Sequence, residues 1–134
     1  MQKPRITDYS IKALIAIGNQ TSDELLREDI RNILVNRLRN TNYSVMYLLS
    51  KFSNSKDIMR YVYADLIMIM VCNHNLYLSS VIMDEIVKLV SMDVLTEYGM
   101  KSNYEDVMSK CKDEFWKRAL DKEENVNLIK KKYK

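Results

Sequence analysis

Apolar positions recur along the chain three and four residues apart, the period of a helix buried on one side, and polar corners divide them into separate stretches. The first stretch, Asp8 to Ile17, puts Ile11, Leu14 and Ile15 on one face and ends at Gly18, which reads as a left-handed stop. The second carries the clearest signals. Thr21 and Glu24 stand at capping-box spacing, Asp23 and Glu24 suit the positive end of the helix dipole, and Arg37 and Arg39 suit the negative end. Its residues Leu26, Ile30, Ile33, Leu34 and Leu38 share one sector, with Glu28, Asn32, Asn36 and Arg39 outside it. A third helix begins after Thr41 or Asn42, carries Val45, Met46, Leu48, Leu49 and Phe52, and gives way at Ser53 to Ser55.

The fourth stretch has no polar side. Between Ile58 and Cys72 the chain carries Met59, Val62, Leu66, Ile67, Met68, Ile69, Met70 and Val71, and a helix apolar all round must be covered all round. The spacing therefore predicts a central helix over about residues 56–72 with the others packed around it. Its β-branched content also suits a strand, but no other segment offers a partner of similar character. Asn73, His74 and Asn75 form a polar corner. A fifth helix follows from Leu76 to Val90, acidic on its outer face at Asp84 and Glu85, and either bends at Ser91 or continues to Tyr98 before Gly99 stops it. Ser102 and Glu105 repeat the capping-box spacing and open a sixth helix. It sets Tyr104, Val107, Met108, Cys111 and Phe115 on one face with Trp116 and Leu120 beside them, and the pattern decays from Asp121. The expected fold is all-α: a single compact bundle of five to seven helices, residues 1–122 forming the domain and 123–134 a basic tail or short helix.

Composition supports that reading. The 134 residues include two Gly and one Pro, where the two together usually make up about 12%, too few for the turns of a sandwich, barrel or doubly wound sheet. Charge selects no partner: 21 Lys and Arg against 18 Asp and Glu leave +3, less than a general polyanion binder carries. The one local excess is Lys130, Lys131, Lys132 and Lys134 around Tyr133. The longest apolar run, Tyr61 to Cys72, is broken by Asp65 and falls well short of the roughly 20 residues that span a bilayer. Met1 to Tyr9 offers no apolar stretch for a secretory signal. The expectation is an intracellular protein, cytoplasmic or nuclear, with no membrane span and with Cys72 and Cys111 as reduced, buried thiols.

Candidate chemistry is sparse. A structural zinc site wants four Cys or His ligands, and the chain has two Cys and one His. His74 is the sole candidate imidazole base and has no glycine-rich elbow or oxyanion loop near it; two isolated glycines write no phosphate-binding loop. Acidic pairs such as Asp84 and Glu85 or Asp113 and Glu114 read as solvent faces. Asp65 is the exception, a carboxylate inside the most apolar helix, where burial raises the pKa unless a cation or several donors reach it. A tyrosine, Arg60 or a lysine of another helix is the expected partner. No catalytic residue, cofactor or metal is expected.

Nine methionines against two phenylalanines give a pliable apolar surface, with Met59, Met68, Met70, Met83 and Met92 as the expected lining of a groove for an amphipathic segment. The same wealth of Met, Ile, Asn, Lys and Tyr is typical of AT-rich genomes and points to a viral or parasitic source. The function expected is a non-enzymatic protein–protein interaction module, a viral or transcription-associated regulator that captures a partner's helix or short peptide. Arg27, Arg31, Met59, Met83 and Glu85 are its candidate partner-binding residues, and a second copy of the chain is a further candidate partner. The competing reading is nucleic-acid association through Lys117, Arg118, Lys130, Lys131 and Lys132.

Thr21, Leu25-Leu26-Arg27-Glu28, Val35-Asn36 and Leu38-Arg39, followed by Val45, Leu48, Leu49 and Lys51, together resemble the N-terminal domain of the transcription elongation factor TFIIS. That likeness covers about a third of the chain and implies a small helical bundle docking short disordered motifs. It departs at Arg31-Asn32, where the family has a glycine after its central isoleucine, and the family's closing Trp-Lys does not follow in this register; a Trp-Lys pair stands at Trp116-Lys117, after Val107, Met108 and Cys111, a second placement incompatible with the first. In architecture, a central apolar helix wrapped by others is similar to the compact Bcl-2-like proteins of poxviruses, without the Asn-Trp-Gly-Arg signature of the cellular family.

Overall fold

A computed structural model describes the chain from Arg5 to Lys132, with side chains through Lys122. A 3-10 turn (Ile6–Asp8) leads into α1 (Ile11–Gln20), α2 (Glu24–Leu38), α3 (Val45–Asn54) and α4 (Ile58–His74). After an extended connector come α5 (Ser80–Leu89), the one-turn α6 (Met92–Val94), a π turn (Leu95–Gly99) and α7 (Glu105–Lys132). Among the described residues there is no strand, and the fold is the all-α bundle that the periodicity predicts.

α4 is its axis. Ile58, Val62, Ala64, Ile67, Met68 and Val71 are fully buried, and α1, α2, α3, α5, α6 and the π turn all lie against this helix. Each large side chain so covered contributes about 1.5–3 kcal/mol relative to leaving it in water. Facing it, α2 supplies Ile30 and Leu34, α3 supplies Leu48 and Phe52, α5 supplies Met83 and Ile86, and the π turn supplies Leu95. α7 packs instead on α5 and the π turn, through Val107 and Cys111.

Local chemistry sets the helix ends, in places differently from the sequence expectation. α2 is capped by Asp23, whose carboxylate accepts from Leu25 N (3.0 Å) and Leu26 N (3.3 Å), while the Thr21 hydroxyl accepts from Asp23 N at 3.1 Å. The capping box at Thr21 and Glu24 is therefore not formed; aspartate two residues later is the better acceptor at a positive dipole end. Ser102 likewise accepts from Tyr104 N (3.1 Å) ahead of α7 and does not cap its first turn. Ser44 caps α3 as acceptor from Tyr47 N (3.1 Å). The fifth helix starts at Ser80, four residues after Leu76, because α4 ends on Asn75 in the left-handed conformation (φ 54°) and the chain leaves it extended.

Gly18 is not the expected left-handed stop, since α1 runs through it to Gln20 without a positive φ; the π turn does end at Gly99, also without a positive φ. Both glycines are points of close approach. A Cβ on Gly18 would stand 2.5 Å from Ile58 Cδ1, where α1 crosses the start of α4, and one on Gly99 would overlap Cys111 Sγ and lie 2.9 Å from the Cys111 Cβ.

Candidate functional site

The connection between α2 and α3 builds an open cleft. α2 stops at Leu38 because the chain folds back on it: Thr41 donates to the Leu38 carbonyl through both its N–H (3.1 Å) and its hydroxyl (2.6 Å). Ser44 then restarts the helix, so residues 39–44 arch beside the C-terminal half of α4. Between arch and helix lies a cleft of about 700 Å³. Val45, Leu48, Leu66 and Ile69 form its floor, Leu38, Met70 and Leu76 its sides, and Arg39, Asn40, Thr41, Asn42, Ser44 and His74 a polar rim. Tyr43 at its edge stacks flat on Tyr47, ring centroids 5.1 Å apart, and the Lys51 ammonium lies 5.5 Å from the Tyr47 centroid.

None of the candidate partner-binding residues picked out by the sequence lines this cleft. Met83 is buried on the inner face of α5, so it offers nothing to a partner. Met68 is fully buried as well, and Met59, Met70 and Met92 pack against the core, so these five methionines fill the interior, and Met70 alone of them reaches the cleft. Glu85 pairs with Arg60. Arg27 and Arg31 lie over the same Tyr61 ring, 5.9 and 5.4 Å from its centroid, and share a groove with Glu24, Glu28 and Ile58.

Arg31 is tied inward. Its guanidinium grips Asp65 with two hydrogen bonds of 3.1 Å, Nε to Oδ2 and Nη2 to Oδ1, and Nη2 also donates to the Leu89 carbonyl at 2.7 Å. Ser91 N donates to Asp65 Oδ1 at 2.9 Å. The partner of the one carboxylate inside α4 is thus an arginine of α2, in place of the Arg60, lysine or tyrosine expected. Burial pushes the Asp65 carboxyl above the usual carboxylate value, while the Arg31 charge and the Ser91 N–H pull it back. The C-terminal end of α5 also receives a second arginine: Arg118 donates to Val87 O (3.2 Å) and Lys88 O (3.3 Å) and holds Glu114 at 2.9 Å. Two guanidiniums therefore serve three successive carbonyls at a negative helix end.

Arg118 is for that reason committed within the bundle, whereas Lys117 is exposed beside Asp113. The side chains of Lys130, Lys131 and Lys132 lie outside the described residues. Cys72 and Cys111 are free thiols, Cys111 buried and Cys72 half-buried. Burial pushes Cys111 up to about 12, and the nearby Cys72 thiol adds to the effect.

The cleft escaped the sequence reading because its rim, Arg39 to Ser44, has no periodicity and its apolar lining comes from three helices and a connector. The one signal was Leu76 beyond the polar corner, an apolar residue that ends 45% exposed. Among the described residues no helix is long and apolar enough to cross a membrane, and no three His, Cys, Asp or Glu side chains are grouped to hold a metal ion. No protein-family model, no curated protein and no solved structure matches this chain, which leaves the geometry of the site itself to carry the functional reading.

Proposed function

We propose that the chain is a non-enzymatic interaction module, a regulator acting by occupancy, and that the cleft between the α2–α3 connection and α4 docks a short apolar segment of a partner protein. The observation that carries this reading is the cleft's layout: an apolar lining from packed helices, edged by the amides, hydroxyls and guanidinium of residues 39–44 and by the His74 imidazole. Apolar floors supply binding energy, and polar rims fix register and exclude wrong sequences. At about 700 Å³ the space suits two or three apolar side chains of a helix or extended peptide laid along α4. The TFIIS-like stretch, Thr21 to Lys51, supplies α2 and α3 and hence one wall of the cleft, and the docking of short motifs is what that resemblance implies.

Selection of short random peptides displayed against the full chain tests the proposal. Peptides with paired apolar residues should be enriched, and their binding should fall about tenfold or more in Leu76→Glu, a change at an exposed side of the cleft that leaves the core intact. Enriched peptides that bind Leu76→Glu as well as the parent chain, or a selection without enrichment, would overturn it.

A further inference from the structure

We infer that the segment docking in the α2–α4 cleft carries an aspartate or glutamate beside its apolar residues, and that Arg39 receives that carboxylate. This selectivity rests on the docking role of the cleft and adds the chemistry of the partner. The residues lining the cleft include one guanidinium, Arg39, one imidazole, His74, and no carboxylate. An acidic side chain of a partner therefore meets no like charge there and finds a cation at the edge of the apolar lining.

Arg39 is free for that role where other arginines are engaged. Arg31, Arg37, Arg60 and Arg118 each donate to a carbonyl or a carboxylate. Arg39 instead lies on the Tyr98 ring, its guanidinium carbon 5.4 Å from the centroid. Asp93 and Glu97 line a neighbouring groove with it, yet among the described residues no carboxylate forms an ion pair with Arg39. A guanidinium resting on an aromatic face is held in place while its N–H edge stays open, and that edge takes a carboxylate through two parallel hydrogen bonds. Beyond the Tyr43–Tyr47 stack at the cleft edge, Lys51 adds a second cation. The negative ends of α2 and α4 border the cleft as well. Part of their charge is met by Thr41 on the Leu38 carbonyl and by Asn75 N and Leu76 N on the Val71 carbonyl.

The test is a displayed peptide library with two apolar residues fixed and the flanking positions varied among Asp, Glu, Asn, Gln, Lys and Arg, selected on the full chain. Asp and Glu should be enriched over Lys and Arg. Binding of a synthetic peptide from that pool should weaken several-fold as the salt is raised from about 0.05 to about 0.5 M. Arg39→Glu should weaken it about tenfold or more and turn the library's preference to Lys and Arg, while Arg39→Lys, which keeps the charge without the fork, should fall between. Arg39 is exposed, so its variants should keep the fold. Leu76→Asn, an uncharged change at the side of the cleft, separates this selectivity from docking itself. Neutral or basic flanks enriched in peptides that Leu76→Asn weakens would overturn the acidic partner and leave the docking site standing. A pool without enrichment, or one indifferent to Leu76→Asn, would overturn both. Acidic peptides that bind Arg39→Glu as well as the parent chain, or that a single-stranded oligonucleotide displaces at equal concentration, would also overturn the proposal.

Discussion

Arg31 and Asp65 meet in a two-pronged ion pair with both contacts at 3.1 Å, the arginine side chain 15% and the aspartate side chain 1% accessible. It joins α2 to the middle of α4, and through Leu89 O and Ser91 N it fixes the corner between α5 and α6. Arg31→Ala leaves a carboxylate buried without its counter-charge and should cost about 3–5 kcal/mol in urea unfolding. Arg31→Met with Asp65→Leu removes both charges and should cost less than the sum of the two single changes. Recovery should be partial, because Ser91 N and Leu89 O then lack partners, each at about 1–3 kcal/mol.

Gly99→Ala and Gly18→Ala separate helix propensity from packing. Alanine within a helix normally stabilises by about 0.5–1 kcal/mol over glycine. At Gly99 the added methyl meets the Cys111 Sγ and the rigidly placed Cys111 Cβ, so the sign should reverse, with about 1–3 kcal/mol lost. Gly18→Ala should be milder, since it meets the far end of the Ile58 side chain. Thermal melts of both variants check the sign and the order.

Asp57 caps α4, accepting from Met59 N (2.8 Å) and the Ser55 hydroxyl (2.8 Å), with Asn19 Nδ2 at 3.3 Å. Partial burial raises its pKa, but these donors outweigh burial and hold the carboxyl below the usual value. A folded pKa below the unfolded one means stability present above about pH 4 and lost as the pH falls through the folded value. Asp57→Ala should therefore cost about 1 kcal/mol at neutral pH, with the gap to the parent chain closing below about pH 4 in denaturant titrations.

The thiols should be inert in the folded chain. Burial raises both, Cys111 to about 12, so at pH 8 almost none of Cys111 is thiolate. Alkylation by iodoacetamide should be slow in buffer and fast in denaturant, and Gly99→Ala, by loosening the seat of Cys111, should speed it.

Where the fold followed from apolar spacing, the sequence was readable. The unbroken run from Ile58 to Cys72 required a covered helix, and α4 is that helix; Leu26, Ile30 and Leu34 named the buried face of α2. Cap positions and glycine roles were less legible, because Thr21 and Asp23 compete for the same first-turn N–H groups and because close approach at Gly18 depends on Ile58, 40 positions away in sequence. The partner of Asp65 was hidden for the same reason: Arg31 reads as one more cation on a solvent face until α2 is laid against α4. The cleft was least visible, being formed by tertiary arrangement around a polar arch.

A cylinder coated evenly with Ile, Leu, Val and Met side chains has little reason to prefer one rotation about its long axis over another, since grease meets grease at nearly every angle. One carboxylate among them removes that indifference. With Asp65 pointing anywhere but at Arg31, α4 would strand a charge in oil, so slipped or twisted packings are penalised and a single setting of the rod is selected, at some expense in total stability.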